Sequence, residues 1–143
     1  MSTMEMKNIT AFGYEIIRDH ILSTIVGKNE ADILYWCGKE IARKFPLLEI
    51  EELPAFFTEA SWGVLEQTKL GKSEAIYVLT GDADILKFDQ RCFRIESGFI
   101  AEQIQKHNGF LTECYEEVDV KKGRVTFQVK WDLKDPIHQE EVK

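Results

Sequence analysis

Residues 124–132 are RVTFQVKWD, and this stretch decides the fold class. Apolar residues at 125, 127, 129 and 131 alternate with polar ones, which is the pattern of a β-strand with one buried and one solvated face. Residues 111–118 also favour a strand, and Val-Lys-Lys-Gly at 120–123 supplies a turn between the two. The C-terminal part of the chain therefore predicts a hairpin of an antiparallel sheet.

Working outward, the chain predicts a second hairpin and four helices. Strands are expected at 64–70 and 74–80, joined at Gly71-Lys72, while residues 84–88 are ambiguous. Helices are expected at 13–26, 30–45, 51–60 and 90–106. The order ααα-ββ-α-ββ predicts an α+β domain with helices on one face of a twisted antiparallel sheet of about four strands. This single domain is expected to span 9–134, with flexible tails at 1–8 and 135–143.

Two of the predicted helices carry small residues beside their apolar stripes. In the second helix the stripe is Leu34, Cys37, Ile41 and Phe45, with Gly38 and Ala42 on the adjoining edge. In the fourth, Phe93, Ile100 and Ile104 mark the buried face, and Ser97, Gly98 and Ala101 offer small surfaces. A glycine inside a helix costs about 1 kcal/mol relative to alanine, so a close helix crossing is a sufficient reason to keep one.

Composition excludes several classes of function. The chain has 143 residues, 44% of them hydrophobic, and a net charge of −7, which opposes binding to nucleic acid and to anionic membranes. No apolar run approaches the roughly 20 residues of a membrane-spanning helix, so no membrane insertion is expected. The three cysteines, Cys37, Cys92 and Cys114, are widely spaced, which favours reduced thiols in a cytosolic protein.

The sequence contains no recognisable catalytic apparatus. It has no glycine-rich phosphate loop, no nucleophile elbow and no histidine pair at zinc-ligand spacing, so no catalytic residue, metal or cofactor is predicted. Glu96 is the one unusual carboxylate, because it falls in the buried register of the fourth helix and needs a partner there. Arg43, Arg91 and Arg94 are the candidate partners.

Four segments of the chain resemble the YslB family of small uncharacterised Firmicutes proteins. They are LYWCGKEIARKFP at 34–46, PAFF at 54–57 with Trp62-Gly63, ESGFIAEQI at 96–104, and VKWDLKDP at 129–136. The resemblance implies the fold shared by 4-vinyl reductase-type domains, TRAPP vesicle-tethering subunits and haem nitric-oxide sensors, many of which dimerise or enclose an apolar ligand. Residues 46–61 lack the cysteine that some TRAPP subunits acylate, and no haem-binding Tyr-x-Ser-x-Arg clamp occurs.

The leading hypothesis is a non-enzymatic cytosolic homodimer that associates through its N-terminal helices and acts on an unknown protein partner. This hypothesis is motivated by the small residues on the helix edges, by the many aromatic residues and by the absence of a recognisable set of catalytic residues. The alternative is a sensor or carrier of a small hydrophobic ligand held between helices and sheet. Its pocket candidates are Trp36, Cys37, Phe56, Phe57, Trp62, Phe93, Glu96 and Phe99. A third option, an enzyme, would need Glu96 or a cysteine exposed in a cleft.

Overall fold

A four-stranded antiparallel sheet carries the helices on one face. The computed structural model describes residues 10–137. The helices are α1 (Ala11–Glu15), α2 (Leu22–Val26), α3 (Glu30–Lys44), α4 (Leu53–Glu59), α5 (Ala83–Leu86) and α6 (Arg94–Asn108). The strands are β1 (Val64–Leu70), β2 (Glu74–Thr80), β3 (Phe110–Asp119) and β4 (Arg124–Pro136). A π turn, Ile16–Ile21, joins α1 to α2, and short 3-10 turns precede α3 and α4.

The sheet has the order β1-β2-β4-β3, so the two predicted hairpins lie side by side through β2 and β4. Tyr77 is paired with Phe127, and Cys114 with Val129. All four of these side chains are buried, as the alternation along each strand requires when one face packs on the helices. The α+β architecture and both hairpins are thus confirmed.

Helix α6 lies at the centre of the molecule. The sequence predicted a single buried face, yet every residue from Ile95 to Ile104 is buried. The polar members are tolerated because each finds a partner. Gln103, for example, donates its amide to the carbonyl oxygens of Ala42 and Phe45 at 3.3 and 2.8 Å and accepts the Leu47 N–H at 3.2 Å. The Gln103 amide thus supplies a donor to backbone carbonyl groups at the C-terminal end of α3, where the last carbonyls of a helix lack partners within the helix.

Helices α3 and α6 cross in backbone contact. A Cβ added to Gly38 would lie 2.1 Å from the carbonyl oxygen of Ile95, and one added to Gly98 would lie 2.0 Å from that of Tyr35. The close crossing predicted from the two glycines is confirmed. The buried stripe of α3 needs a correction, however. It consists of Leu34, Gly38 and Ala42, because the side of α3 that holds the glycine is the side that α6 covers.

The largest differences from the predicted ends of the elements are at the start of α6 and at the end of β4. Helix α6 begins at Arg94 rather than at residue 90, because Arg91 turns inward to bind Asp19 and the carbonyl of Ile85. Strand β4 continues past the alternating stretch 124–132 to Pro136, beyond the predicted domain boundary at 134, because Phe110 pairs with Pro136. The predicted leader 1–8 and the end of the predicted tail lie outside the described residues.

Candidate functional site

The first helical stretch, from α1 through the π turn to α2, presents a row of apolar residues outward, while Tyr14 and Leu22 pack against the core. Ile17, Ile21 and Ile25 are 50, 44 and 73% exposed, while Arg18 on the opposite side is buried. The outward positions, defined here as the isoleucine face, are Ala11, Phe12, Ile16, Ile17, His20, Ile21, Thr24 and Ile25. A surface helix normally has the reverse arrangement, with polar residues outward. The isoleucine face therefore does not pack against the core of this chain.

Buried ion pairs hold the inner side of the same stretch. Arg18 donates to Glu96 at 2.6 Å, to the Tyr14 hydroxyl at 2.7 Å and to the Cys92 carbonyl at 2.9 Å. The Glu96 side chain is 0% exposed, so the carboxylate depends on this guanidinium for its charge balance. The partner of Glu96 is thus Arg18, which lies 78 residues away along the chain, and none of the three arginines suggested by the sequence.

The next residue along the chain, Asp19, forms a second buried pair. Arg91 binds both carboxylate oxygens of Asp19, at 2.8 and 3.0 Å, and its guanidinium stacks over the Tyr14 ring. Burial is the main cause that raises the Tyr14 pKa, so its hydroxyl stays protonated beside Arg18. These contacts fix the orientation of the first helical stretch and so keep its isoleucines turned outward.

Four of the eight residues predicted to line a pocket form a single aromatic cluster. The Phe56 ring stacks on Phe99 with centroids 4.3 Å apart, and Trp62 meets the edges of Phe57 and Phe99 at 5.1 and 5.4 Å. Offset and edge-to-face geometries are the favourable ones for aromatic rings. The cluster joins α4, the start of β1 and the middle of α6, and it fills the space between them.

The other four predicted pocket residues are dispersed. Phe93 is buried and stacks on Phe88, Glu96 is paired with Arg18, Cys37 is half-buried, and Trp36 is 59% exposed. The structure therefore does not bring the eight into one cavity. A ligand contact at any of them stays a prediction.

Two of the three cysteines, Cys92 and Cys114, lie in surroundings that suppress thiolate formation. Burial raises the pKa of the Cys114 thiol strongly and that of Cys92 as well. Cys92 precedes α6, where a helix N-terminus would lower a thiol pKa, but burial outweighs that effect. A protonated thiol is a weak nucleophile and a poor metal ligand.

A cavity of about 480 Å³ lies at the far end of α6, between the sheet and the start of α4. Its apolar wall comes from five segments: Ile50 and Pro54 before and within α4, Leu70 of β1, Ala75 of β2, Ile104 of α6 and Trp131 of β4. The volume falls within the roughly 300–1,000 Å³ typical of small-molecule sites, which are also mostly apolar.

The polar groups of this cavity are few. Tyr77 donates its hydroxyl to Gln67 at 3.4 Å, and burial, with the charge of Glu51 as a second cause, raises the Tyr77 pKa to about 12. His107 contacts the carbonyl oxygen of Leu47 through Nε2 at 2.9 Å. Asn108, the last residue of α6, completes the wall.

Sequence reasoning missed this cavity because its residues come from the ends of distant elements. The predicted strand alternation already placed Trp131 on the inward face, and that was the available signal. What it could not provide was the distance between α4 and the sheet, which depends on how these separate elements pack around the cavity. No single segment encodes that distance.

Two absences apply to residues 10–137. Within that range, no group of three histidine, cysteine or carboxylate side chains is placed to hold a metal ion. None of the helices described there combines the length and apolarity needed to cross a bilayer.

Comparison with known proteins identifies relatives of this chain. Residues 11–130 match the family described as Protein of unknown function (DUF2507). The uncharacterised protein YslB of Bacillus subtilis (strain 168) is 44% identical over 132 residues, covering 90% of this chain and 89% of that protein. The crystal structure of a vinyl-4-reductase family protein from Methanocaldococcus jannaschii superposes with a TM-score of 0.64 at 19% identity, covering 90% of this chain and 85% of that one. The last comparison establishes a shared fold, as the YslB resemblance implied.

Proposed function

The chain belongs to the DUF2507 family of proteins of unknown function, and we propose that it acts without catalysis, as a homodimeric interaction module of the cytosol. The single observation that supports this function best is the isoleucine face. A helix that buries an arginine and exposes a row of isoleucines has its apolar side available for a partner, and exposed apolar patches of this kind mark interaction sites.

A second copy of the chain is the occupant that fits this face. Its eight positions include no lysine, arginine, aspartate or glutamate, although the chain as a whole has a net charge of −7. Two copies can therefore approach here without charge repulsion, and a two-fold axis would place the same patch on both sides of the contact. A lipid surface is a poorer match, because helices that lie on membranes carry lysine and arginine along their polar side.

Helix α3 offers further apolar surface. Ile33 is 36% exposed, and Trp36 exposes more than half of its side chain. Exposed tryptophan is typical of interaction hot spots. The small-residue edges that first motivated a dimer do not contribute, because Gly38 and Gly98 face each other inside the molecule. The proposal therefore depends on the isoleucine face and on these two residues of α3.

The non-enzymatic and cytosolic parts of the proposal have separate support. Three of the side chains that an enzyme could use for catalysis are poorly suited to it. Glu96 is paired with Arg18, and burial raises the pKa of Cys92 and of Cys114, which favours the protonated thiols. All three cysteines are unpaired, which is typical of proteins in a reducing compartment.

Sedimentation velocity at micromolar concentration tests the dimer. We expect the wild-type chain to sediment as a dimer and the Ile21→Lys/Ile25→Lys variant as a monomer, because each lysine would have to be desolvated in the interface. Val120→Lys is the matched control, since Val120 is 54% exposed in the turn between β3 and β4 and should leave the dimer intact. A monomeric wild-type chain, or a variant that still dimerises, would contradict the proposal.

A second function is favoured by the cavity at the end of α6. The same module would hold a small apolar ligand there, between helices and sheet. The supporting observation is a mostly apolar volume of about 480 Å³ that involves none of the residues of the isoleucine face. Ligand binding and dimerisation can thus be separated by mutation.

A further inference from the structure

The sheet side of the cavity at the end of α6 is formed around a small residue, Ala75. Side chains two residues apart on a strand share one face of the sheet, so Tyr77 lies beside Ala75 on the inward face. In the other direction along β2, the backbone N–H of Trp131 donates to the Ser73 carbonyl at 3.0 Å. An alanine between two aromatic residues leaves room that a larger side chain would occupy.

The charge in the cavity wall has one sign. Glu51 is its single acidic residue, and neither lysine nor arginine lines it. The Glu51 side chain is exposed and forms no salt bridge with any residue from 10 to 137. Its charge acts on the interior of the cavity, because it is the next cause after burial that raises the Tyr77 pKa. A cationic group of a ligand would therefore be attracted here, and an anionic group repelled.

Several hydrogen-bond donors of the wall already have partners. The Trp131 indole N–H donates to a backbone carbonyl at 3.1 Å. A carbonyl oxygen can only accept, so Nε2 of His107 is the donor in its 2.9 Å contact with Leu47, and Nδ1 of the neutral ring is left as an acceptor. Gln67 keeps its amide N–H groups, so hydrogen bonding alone does not select the ligand. The charge of Glu51 is the feature that does.

The aromatic side chains of the wall favour the same sign of charge. The face of a tryptophan or tyrosine ring attracts a cation, because the ring quadrupole is negative there. Trp131 and Tyr77 both line the cavity. An anionic ligand would gain neither this attraction nor that of the carboxylate.

We propose that this cavity binds a small hydrophobic amine in its protonated form, as an alkyl or arylalkyl ammonium ion. The ammonium group pairs with the Glu51 carboxylate, and the hydrocarbon part lies against the apolar wall formed by Ile50, Pro54, Ile104 and Trp131. This inference rests on the second function above, that the cavity is a ligand site, and adds the class of ligand. It is independent of the dimer.

Three probes with the same chain length test the ligand class at neutral pH: octylammonium, octanoate and octan-1-ol. Calorimetric titration into the wild-type protein should show that octylammonium binds at least about fivefold more tightly than octanoate, since about fivefold is the upper end of what an exposed ion pair contributes. The NMR resonance of the Trp131 indole N–H reports binding in this cavity, and octylammonium should move it. Equal or tighter binding of octanoate would overturn the proposal.

The variant Glu51→Gln removes the charge and keeps the shape of the side chain. We expect it to weaken octylammonium binding about fivefold and to leave octan-1-ol binding within about twofold of the wild type. Glu59→Gln is the matched control, because it changes the net charge equally at an exposed position of α4 outside the cavity wall. An equal loss in both variants would show that the overall charge of the chain, and not Glu51, attracts the ammonium ion.

A third variant separates the ligand class from the existence of a site. Ala75→Leu fills the space between Tyr77 and Trp131, so no probe should move the Trp131 resonance, while circular dichroism confirms that the variant is folded. If octan-1-ol moves that resonance in the wild type but Glu51→Gln has no effect on octylammonium, the cavity binds ligands and the assignment to amines is wrong. If none of the three probes moves it, the second function fails together with this inference.

Discussion

Replacing Gly98 with alanine is expected to lower the free energy of unfolding by at least about 3 kcal/mol, the upper end of the cost of overpacking a core. The added Cβ would lie 2.0 Å from the carbonyl oxygen of Tyr35, and the neighbour it meets is helix backbone rather than a flexible side chain. Elsewhere in a helix the same substitution gains about 1 kcal/mol, so the clash has to exceed that gain. Urea unfolding followed by circular dichroism measures the loss.

Gly71→Ala is the matched control for this prediction. Its added Cβ would meet its nearest neighbour, in Glu74, at an ordinary 3.6 Å, so stability should stay close to that of the wild type. An alanine at Gly98 that unfolds at the wild-type urea concentration would show that α3 and α6 can separate easily. The account of α6 as the tightly held centre of the fold would then be wrong.

The second large effect is expected at the buried ion pair. Arg18→Met should cost about 3–5 kcal/mol, because it leaves the fully buried Glu96 carboxylate without its counter-charge. The double variant Arg18→Met/Glu96→Leu should recover most of that loss, since two apolar residues bury well where one unpaired charge does not. Thermal and urea unfolding of the two variants measure the difference between them.

Lys69→Met serves as the surface control for the ion pair. Lys69 and Glu74 form an exposed pair, with 54 and 30% of their side chains accessible, and exposed pairs contribute little. If Arg18→Met were as mild as Lys69→Met, the pair could not be what holds the first helical stretch in place. The outward orientation of the isoleucines would then need another cause.

The local sequence pattern was sufficient to predict the sheet and most of the helices. The alternation along β4 and the turns at 71–72 and 120–123 placed both hairpins. Helix α6 ends two residues beyond the predicted end at 106, where Gly109 adopts a left-handed conformation at φ 80°. The hairpin turns and the glycine that ends the helix depend on neighbours within a few residues, so they can be predicted directly from the sequence. The glycines at 38 and 98 also signalled the helix crossing correctly.

What the sequence could not provide are contacts between residues far apart along the chain. Glu96 was recognised as a buried carboxylate, but its partner Arg18 belongs to a helix whose apolar spacing gives no sign that its inner side is polar. The complete burial of α6 depends in the same way on Arg43 and on the end of α3. The eight predicted pocket residues were chosen for aromatic character, and that same character makes Phe56, Phe57, Trp62 and Phe99 pack on one another.

The most direct test of the central claim is an isotope-filtered methyl NOE experiment on a mixture of isoleucine-labelled and unlabelled chains. Such an experiment detects only contacts between copies. The account predicts intermolecular NOEs from the δ1 methyl groups of Ile17, Ile21 and Ile25, which lie outward along the isoleucine face. Intermolecular NOEs confined to other isoleucines, such as Ile76 on the sheet, or none at all, would contradict it.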